Sequence, residues 1–356
     1  MGVSSESGIT HEELRLAARN HAMPLEALRW PITPVGLHYL LVHYDVPLVD
    51  PATWRLEVGG TVAQPLLTTL DELREWPSVE LTATMECAGN GRALFEPRPL
   101  SQPWLTEAVG TAIWRGVPLA ALLDEARPGS DAVEVVFSAL DRGLEGGIEQ
   151  RYARSLPLAE ARESGAVLAY EMNGAPLPPQ HGFPLRLVVP GWYGMTNVKW
   201  LTAVTLTTEP FAGYQQAMSY RYRQHEDEPG RPVTRMRPRS LLVPPGLPDF
   251  FTRERVVEGS PIALEGRAWS GGAPVARVEV SDDGGASWLE ARLTRDLEGP
   301  WAWVRFEFEW EPPRAGAFVL CSRATDETGA TQPLEPEWNV GGYENNAVQR
   351  VSVTVR

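Results

Sequence analysis

Between Arg221 and Phe251 the chain carries prolines at 229, 232, 238, 244, 245 and 248 and arginines at 221, 223, 231, 235, 237 and 239. This density of proline restricts the fold more than any other feature, because each proline fixes one backbone angle and removes one N–H donor. Neither a helix interior nor a central strand tolerates such spacing. The stretch reads as a connection between domains, its arginines either solvated, the favoured reading, or folded back over the acidic first domain, and it divides 356 residues, too many for one ordinary core, into two unequal parts.

On the N-terminal side, Thr10 with Glu13 and Thr69 with Glu72 have capping-box spacing, which predicts short helices over 10–20 and after Thr69. Pro118 starts another, with Leu119, Leu122 and Leu123 facing inward. Between them, alternating residues predict strands at Trp54–Val58, Val79–Glu86, Val133–Leu140 and Val167–Tyr170. No GxGxxG or GxxxxGK occurs, so nucleotide-binding sheets lose their main support. The expectation is an α+β domain over 37–228, preceded by an N-terminal extension with a short helix at 1–36. Beyond the connection all signals are β: Ile262 to Ala268, Val278 and Val280, Phe306 to Trp310, and Val351 to Val355 alternate, with a hairpin turn at Asp283, Gly284 and Gly285. Strands at this spacing predict an immunoglobulin-like β-sandwich over 229–356.

Composition excludes several classes of function. A net charge of −14 repels nucleic acid and anionic membranes. No apolar run approaches the roughly twenty residues that cross a bilayer, and no secretory signal opens the chain, so a cytoplasmic protein is expected. The two cysteines, Cys87 and Cys321, show neither disulfide nor zinc spacing. A small anionic substrate stays compatible with this charge if a local positive pocket acts within about one Debye length.

Two stretches carry chemistry. In TATMECAGNGR, Thr82 to Arg92, a predicted strand ends at Cys87 before the turn of Gly89, Asn90 and Gly91, with Arg92 following. A single cysteine before a glycine turn is ordinarily a buried packing residue; with Arg92 close by, this one is also placed as a soft ligand beside an anion site. In HGFPLRLVVPGWYGMTNVKWL, His181 to Leu201, the side chains of His181, Arg186 and Lys199 surround the glycines 191 and 194, which suits a phosphate-bearing ligand. His38 and His43 lie in the apolar run LHYLLVHYDVP, where a histidine is ordinarily a core or surface residue.

With ECAGNGR at 86–92, LAYEMNGAPLPPQHGFPLRLVVPG at 168–191, NVKWL at 197–201 and AWSGG at 268–272, the chain resembles the sulfite oxidase family of molybdenum enzymes, which includes the molybdenum domain of plant nitrate reductase. The resemblance implies a molybdopterin-binding catalytic domain followed by a dimerisation domain, and a molybdenum-molybdopterin cofactor. By position it implies that Cys87 is the metal-binding thiolate and that His43, Asp141, His181, Arg186, Asn197, Val198 and Lys199 hold the pterin and its phosphate. Arg92 matches an active-site arginine, and Tyr220, 21 residues after Lys199, matches an active-site tyrosine. The implied function is oxygen-atom transfer from or to a small-molecule substrate, sulfite to sulfate first, in a homodimer. With no CxxCH haem motif, the electron acceptor is external. Alternatives are oxidation or reduction of another sulfur or nitrogen compound, or a non-catalytic binding protein on this scaffold. Two positions depart from the family: Leu41 and Pro274 stand where it places substrate arginines, and Arg267 or Arg277 is near enough in sequence to substitute.

Overall fold

The computed structural model describes residues 8–259 and 261–356. Both capping boxes form: the Glu13 carboxylate accepts from the Thr10 N–H at 2.9 Å, and Glu72 accepts from the Thr69 N–H at 2.7 Å. The helices are connectors of one or two turns, the longest being His11–Arg19 with nine residues. Too short to cover a sheet face, they leave the architecture mostly β, where a more even α+β mixture was expected. Among the described residues no helix is long and apolar enough to cross a membrane.

In the first sheet, Leu56–Gly60 runs parallel to Leu201–Thr207 and antiparallel to Leu66–Thr68. Leu201–Thr207 then pairs with the long hairpin of Glu134–Glu145 and Ile148–Pro157. In the second, Val79–Glu86, Val109–Pro118 and Val167–Met172 lie side by side, and Arg186–Val188 pairs to the last of them. One core joins the two sheets, with Leu56, Val58, Phe137 and Leu201 in the same cluster as Val117, Leu168 and Leu187. Leu119, Leu122 and Leu123 of the helix Leu119–Ala126 are buried in it, as their spacing predicts.

The C-terminal strands form two further sheets. One runs in the order Arg239–Leu242, Ile262–Trp269, Val304–Trp310 and Arg292–Thr294. The other includes Arg255–Val257, Arg350–Val355, Gly316–Asp326 and Val275–Ser281. Leu242, Leu264 and Phe306 from the first share a core with Val278, Leu320 and Val353 from the second. Cys321 is fully buried in its strand, as expected of a packing residue.

The proline- and arginine-rich stretch differs from the expected solvated connection. Val233, Met236, Leu241, Leu242 and Val243 are buried, and Arg239–Leu242 is an edge strand, where the flanking Pro238 and Pro244 remove no ladder bond. Its arginines find carboxylates far away in sequence: Arg235 pairs with Glu160 at 2.5 Å, Arg237 with Glu344 at 2.9 Å, and Arg239 with Glu86 at 2.8 Å. Met236 accepts from the Gly271 N–H at 2.8 Å and donates to Gly191 O at 2.9 Å, which stitches the two halves together. A Cβ on Gly271 would lie 1.9 Å from Gly191 O, so this approach requires glycine.

The strand Val79–Glu86 forms part of that seam. Its polar side faces protein over the last turn, where the Thr84 hydroxyl accepts from the Trp303 N–H at 2.8 Å and Glu86 accepts from Trp269 Nε1 at 2.9 Å. The N-terminal segment also docks here, with Met23, Ala27 and Leu28 in one cluster with Tyr193, Trp269 and Trp303.

Candidate active site

The strand Val79–Glu86 delivers Cys87 to a turn in which the Asn90 N–H donates to Cys87 O at 2.9 Å and the Arg92 N–H to Gly89 O at 3.0 Å. Gly91 takes a left-handed φ of 87°, and a Cβ there would meet the Asn345 side chain at 2.8 Å. The thiol is 6% exposed. Burial pushes its pKa up, and Arg92 opposes the rise.

Cys87 lies in the wall of a narrow, partly open cavity. The run around 37–47 contributes His38, Leu41 and His43 to its wall, and the long hairpin contributes Asp141 and Tyr152. His181, Arg186, Asn197, Lys199 and Tyr220 complete the polar lining. The structure therefore brings together every residue expected in the site except Arg92 and Val198. Val198 is fully buried in the core, where its carbonyl accepts from the Leu187 N–H at 2.8 Å. Arg92 stands behind the thiol turn, donating to Gly341 O at 3.0 Å and Gln102 O at 3.2 Å, with its guanidinium 5.2 Å from the Tyr343 ring centroid.

The cation cluster is built from backbone. Arg186 donates to His181 O at 3.0 Å and Asn197 O at 3.4 Å and lies 4.7 Å over the Trp114 ring. Burial pulls its pKa down to about 10. Lys199 donates to Leu41 O at 2.7 Å and Gln180 O at 3.3 Å. It is the only lysine in the chain. Burial, with Arg186 adding repulsion, lowers it to about 7, while burial raises Asp141 to about 6 against the pull of Lys199. The histidines are neutral at pH 7: burial takes His43 to about 3, His38 to about 4 and His181 to about 2.

Tyr220 has a left-handed φ of 49°, and its hydroxyl shares a hydrogen bond with His43 Nε2. The His43 ring stacks on Tyr152 at 4.5 Å, and the Tyr152 hydroxyl donates to Met195 O at 2.5 Å. The pair is thus fixed from both sides.

Sequence reasoning missed three residues. His38 is 1% exposed with its ring edge-on to His181 at 5.6 Å; it shares an apolar run with His43, which was its only signal. Tyr152 and Arg154 sit two apart on an ordinary strand, with nothing local to mark them. Neither Arg267 nor Arg277 reaches the cavity in place of the absent arginines. Arg267 donates to Leu28 O at 2.9 Å and pairs with Asp296 at 3.2 Å, while Arg277 is half exposed beside Glu279.

Among the described residues no group of three or more His, Cys, Asp or Glu side chains is placed to hold a metal ion. A metal at this thiol would need most of its ligands from an organic group. Two unpartnered buried nitrogens fit an anionic ligand of that kind: His181 Nε2 and Arg186 Nε have no hydrogen-bond partner in the protein. The residues present thus fit a molybdopterin cofactor.

Comparison with known proteins agrees. Residues 43–215 match the oxidoreductase molybdopterin binding domain, and residues 239–356 match the Mo-co oxidoreductase dimerisation domain. The chain is 35% identical to mitochondrial sulfite oxidase of Mus musculus over 99% of its own length and 67% of that protein's. It is also 35% identical to the NADH nitrate reductase of Solanum lycopersicum, over 91% of its own length and 38% of that protein's. Among solved structures, the sulfane dehydrogenase SoxCD from Paracoccus pantotrophus superposes with a TM-score of 0.81 at 25% identity, covering 100% of this chain and 95% of that one. A lone thiol in the wall of a cavity that also holds buried Arg186 and Lys199, on this fold and with these relatives, makes the chain a member of the sulfite oxidase family of molybdopterin-dependent oxidoreductases.

Proposed function

We propose that the enzyme oxidises sulfite to sulfate and passes the electrons to a separate acceptor. The observation that carries this reading is the Cys87 thiol in the wall of the same cavity as His181, Arg186 and Lys199. Bound molybdenum would supply a two-electron exchange of an oxygen atom, a chemistry no side chain provides. Cys87 would hold the metal. His181, Arg186 and Lys199 would hold the anionic pterin ligand, with His43, Asp141 and Asn197 along it and Val198 contributing only backbone. Tyr220, oriented by His43, presents a hydroxyl for holding or moving a proton at the substrate. Arg92 acts on the thiol and on Tyr343 from behind.

The names of the mouse relative and of SoxCD both describe oxidation of a sulfur compound, which supports a sulfur substrate. The nitrate reductase relatives, with Leu41 in the wall where an arginine was expected, favour a nitrogen oxyanion as the second reading. Residues 239–356 we take as the homodimer-forming part, an immunoglobulin-like β-sandwich, and 37–228 as the catalytic domain.

The test uses protein purified with its cofactor, with molybdenum and pterin content measured first. Sulfite reducing an artificial acceptor such as ferricyanide is the expected result. Full molybdenum content with no reduction by sulfite, together with nitrate consumption from a reduced dye, would replace the first reading by the second.

A further inference from the structure

Six arginines are buried among the described residues: Arg92, Arg154, Arg186, Arg239, Arg255 and Arg267. The last three each have a carboxylate, from Glu86, Glu26 and Asp296. The first three have backbone carbonyls instead: Gly341 and Gln102 for Arg92, Gln215 for Arg154, His181 and Asn197 for Arg186. A buried guanidinium without a counter-charge is costly, and a fold retains one where an anion arrives from outside. Arg186 lines the cavity and Arg92 backs the thiol turn. Arg154 does neither.

Arg154 is 2% exposed on the strand Ile148–Pro157, two residues after Tyr152 and therefore on the same face. Its guanidinium carbon lies 5.5 Å from the centroid of the Tyr220 ring, and its Nε has no hydrogen-bond partner. Tyr152 and Tyr220 both line the cavity, so the charge sits directly behind its wall. In a dry wall such a charge is weakly screened over one side chain's thickness. Leu41 brings no charge to that wall, and Pro274, Arg267 and Arg277 do not line it.

We propose that Arg154 is a specificity-determining residue of this site, whose charge, acting through Tyr220 and Tyr152, holds an anionic substrate and replaces the cations absent at positions 41 and 274. This rests on the reading that the site acts on a small oxyanion. A purely structural purpose, tying the turn Tyr214–Ala217 to the strand through Gln215 O, is the competing account.

The two accounts separate in the cofactor-loaded enzyme carrying Arg154→Gln or Arg154→Lys. Sulfate binding, measured by calorimetry, serves as an unreactive probe beside the KM and kcat for sulfite, the molybdenum content and the melting temperature. The expected result for Arg154→Gln is about tenfold or greater weakening of sulfate binding and a matching rise in KM, from loss of one weakly screened charge behind the wall. With it go a kcat changed by less than about threefold, unchanged molybdenum content and a melting temperature that does not fall, since an unpaired buried charge has been removed. Arg154→Lys should keep sulfate affinity within about threefold of the parent. Unchanged sulfate affinity in Arg154→Gln would overturn the proposal, as would a loss of affinity that Lys does not restore and that accompanies falling molybdenum content and melting temperature. Should sulfite prove not to be a substrate, sulfate binding still decides the case for Arg154, so the two readings fail separately.

Discussion

The seam between the two halves and the cavity beside Cys87 use the same residue, equally buried, in opposite ways. In the seam, Arg239 at 1% exposure meets Glu86 at 2%, and that carboxylate also accepts from Asn90 and Trp269. Around the cavity, Arg92, Arg154 and Arg186 are almost as deep and meet carbonyls, aromatic rings and, at Arg186, the Met85 sulfur, with no carboxylate. Burial alone thus fails to tell structure from function, whereas the search for each arginine's counter-charge does tell them apart. The seam closes its own account of charge, and the cavity leaves its account open for a ligand.

The comparison can be broken most severely at the thiol. Cys87→Ser should lose nearly all bound molybdenum and reduce turnover by about a thousandfold or more, because a hydroxyl is a poor ligand for a soft metal; metal analysis and dye-linked assay read both. Retained molybdenum in that variant would mean that the cavity is not built around Cys87. In the seam, Arg239→Met should cost about 3–5 kcal/mol in denaturant unfolding by stranding the Glu86 carboxylate. A cost below about 1 kcal/mol would mean that the pair is not the closed account described here.

A smaller effect sharpens the cavity side. Lys199 is held near 7, so between that value and its ordinary 10.5 the unfolded chain binds a proton that the cofactor-free fold does not, and stability rises with pH across this window. Asp141, held near 6, keeps in the fold a proton that the unfolded chain has released, so stability falls as pH rises from the ordinary 3.8 toward 6. Stability of the cofactor-free protein therefore falls along the acid limb and rises along the alkaline limb, the two groups titrating as one pair. A phosphate on Lys199 raises its pKa, so cofactor-loaded protein should lose the alkaline rise, which amounts to a few degrees of melting temperature. With a single lysine in the chain, labelled lysine gives one resonance whose titration reports the shift directly.

Much of the fold was legible because its signals are local. Thr10 with Glu13, Thr69 with Glu72, and the alternation through Ile262 and Phe306 each act within a few residues, and each formed the expected element. The seam was not legible. Arg239 and Glu86 are 153 positions apart, and nothing near either names the other, so a proline-rich stretch that closes a buried interface resembled a solvated linker. In the site, the thiol turn and the His181–Lys199 cluster announced themselves through glycines and cations close in sequence. Arg154 could not, because RYARSLP is an ordinary strand and only the fold brings it behind Tyr220.

The central claim, that cavity arginines are kept for an anion while seam arginines serve the fold, is tested most directly by the unfolding free energy of Arg186→Met in cofactor-free and cofactor-loaded protein, with Arg239→Met alongside. In the cofactor-free protein Arg186→Met should cost far less than Arg239→Met, about 1 kcal/mol against about 3–5 kcal/mol, and it should abolish most of the stabilisation that the cofactor otherwise adds. Equal costs for the two variants without cofactor, and an undiminished gain from cofactor in Arg186→Met, would contradict it.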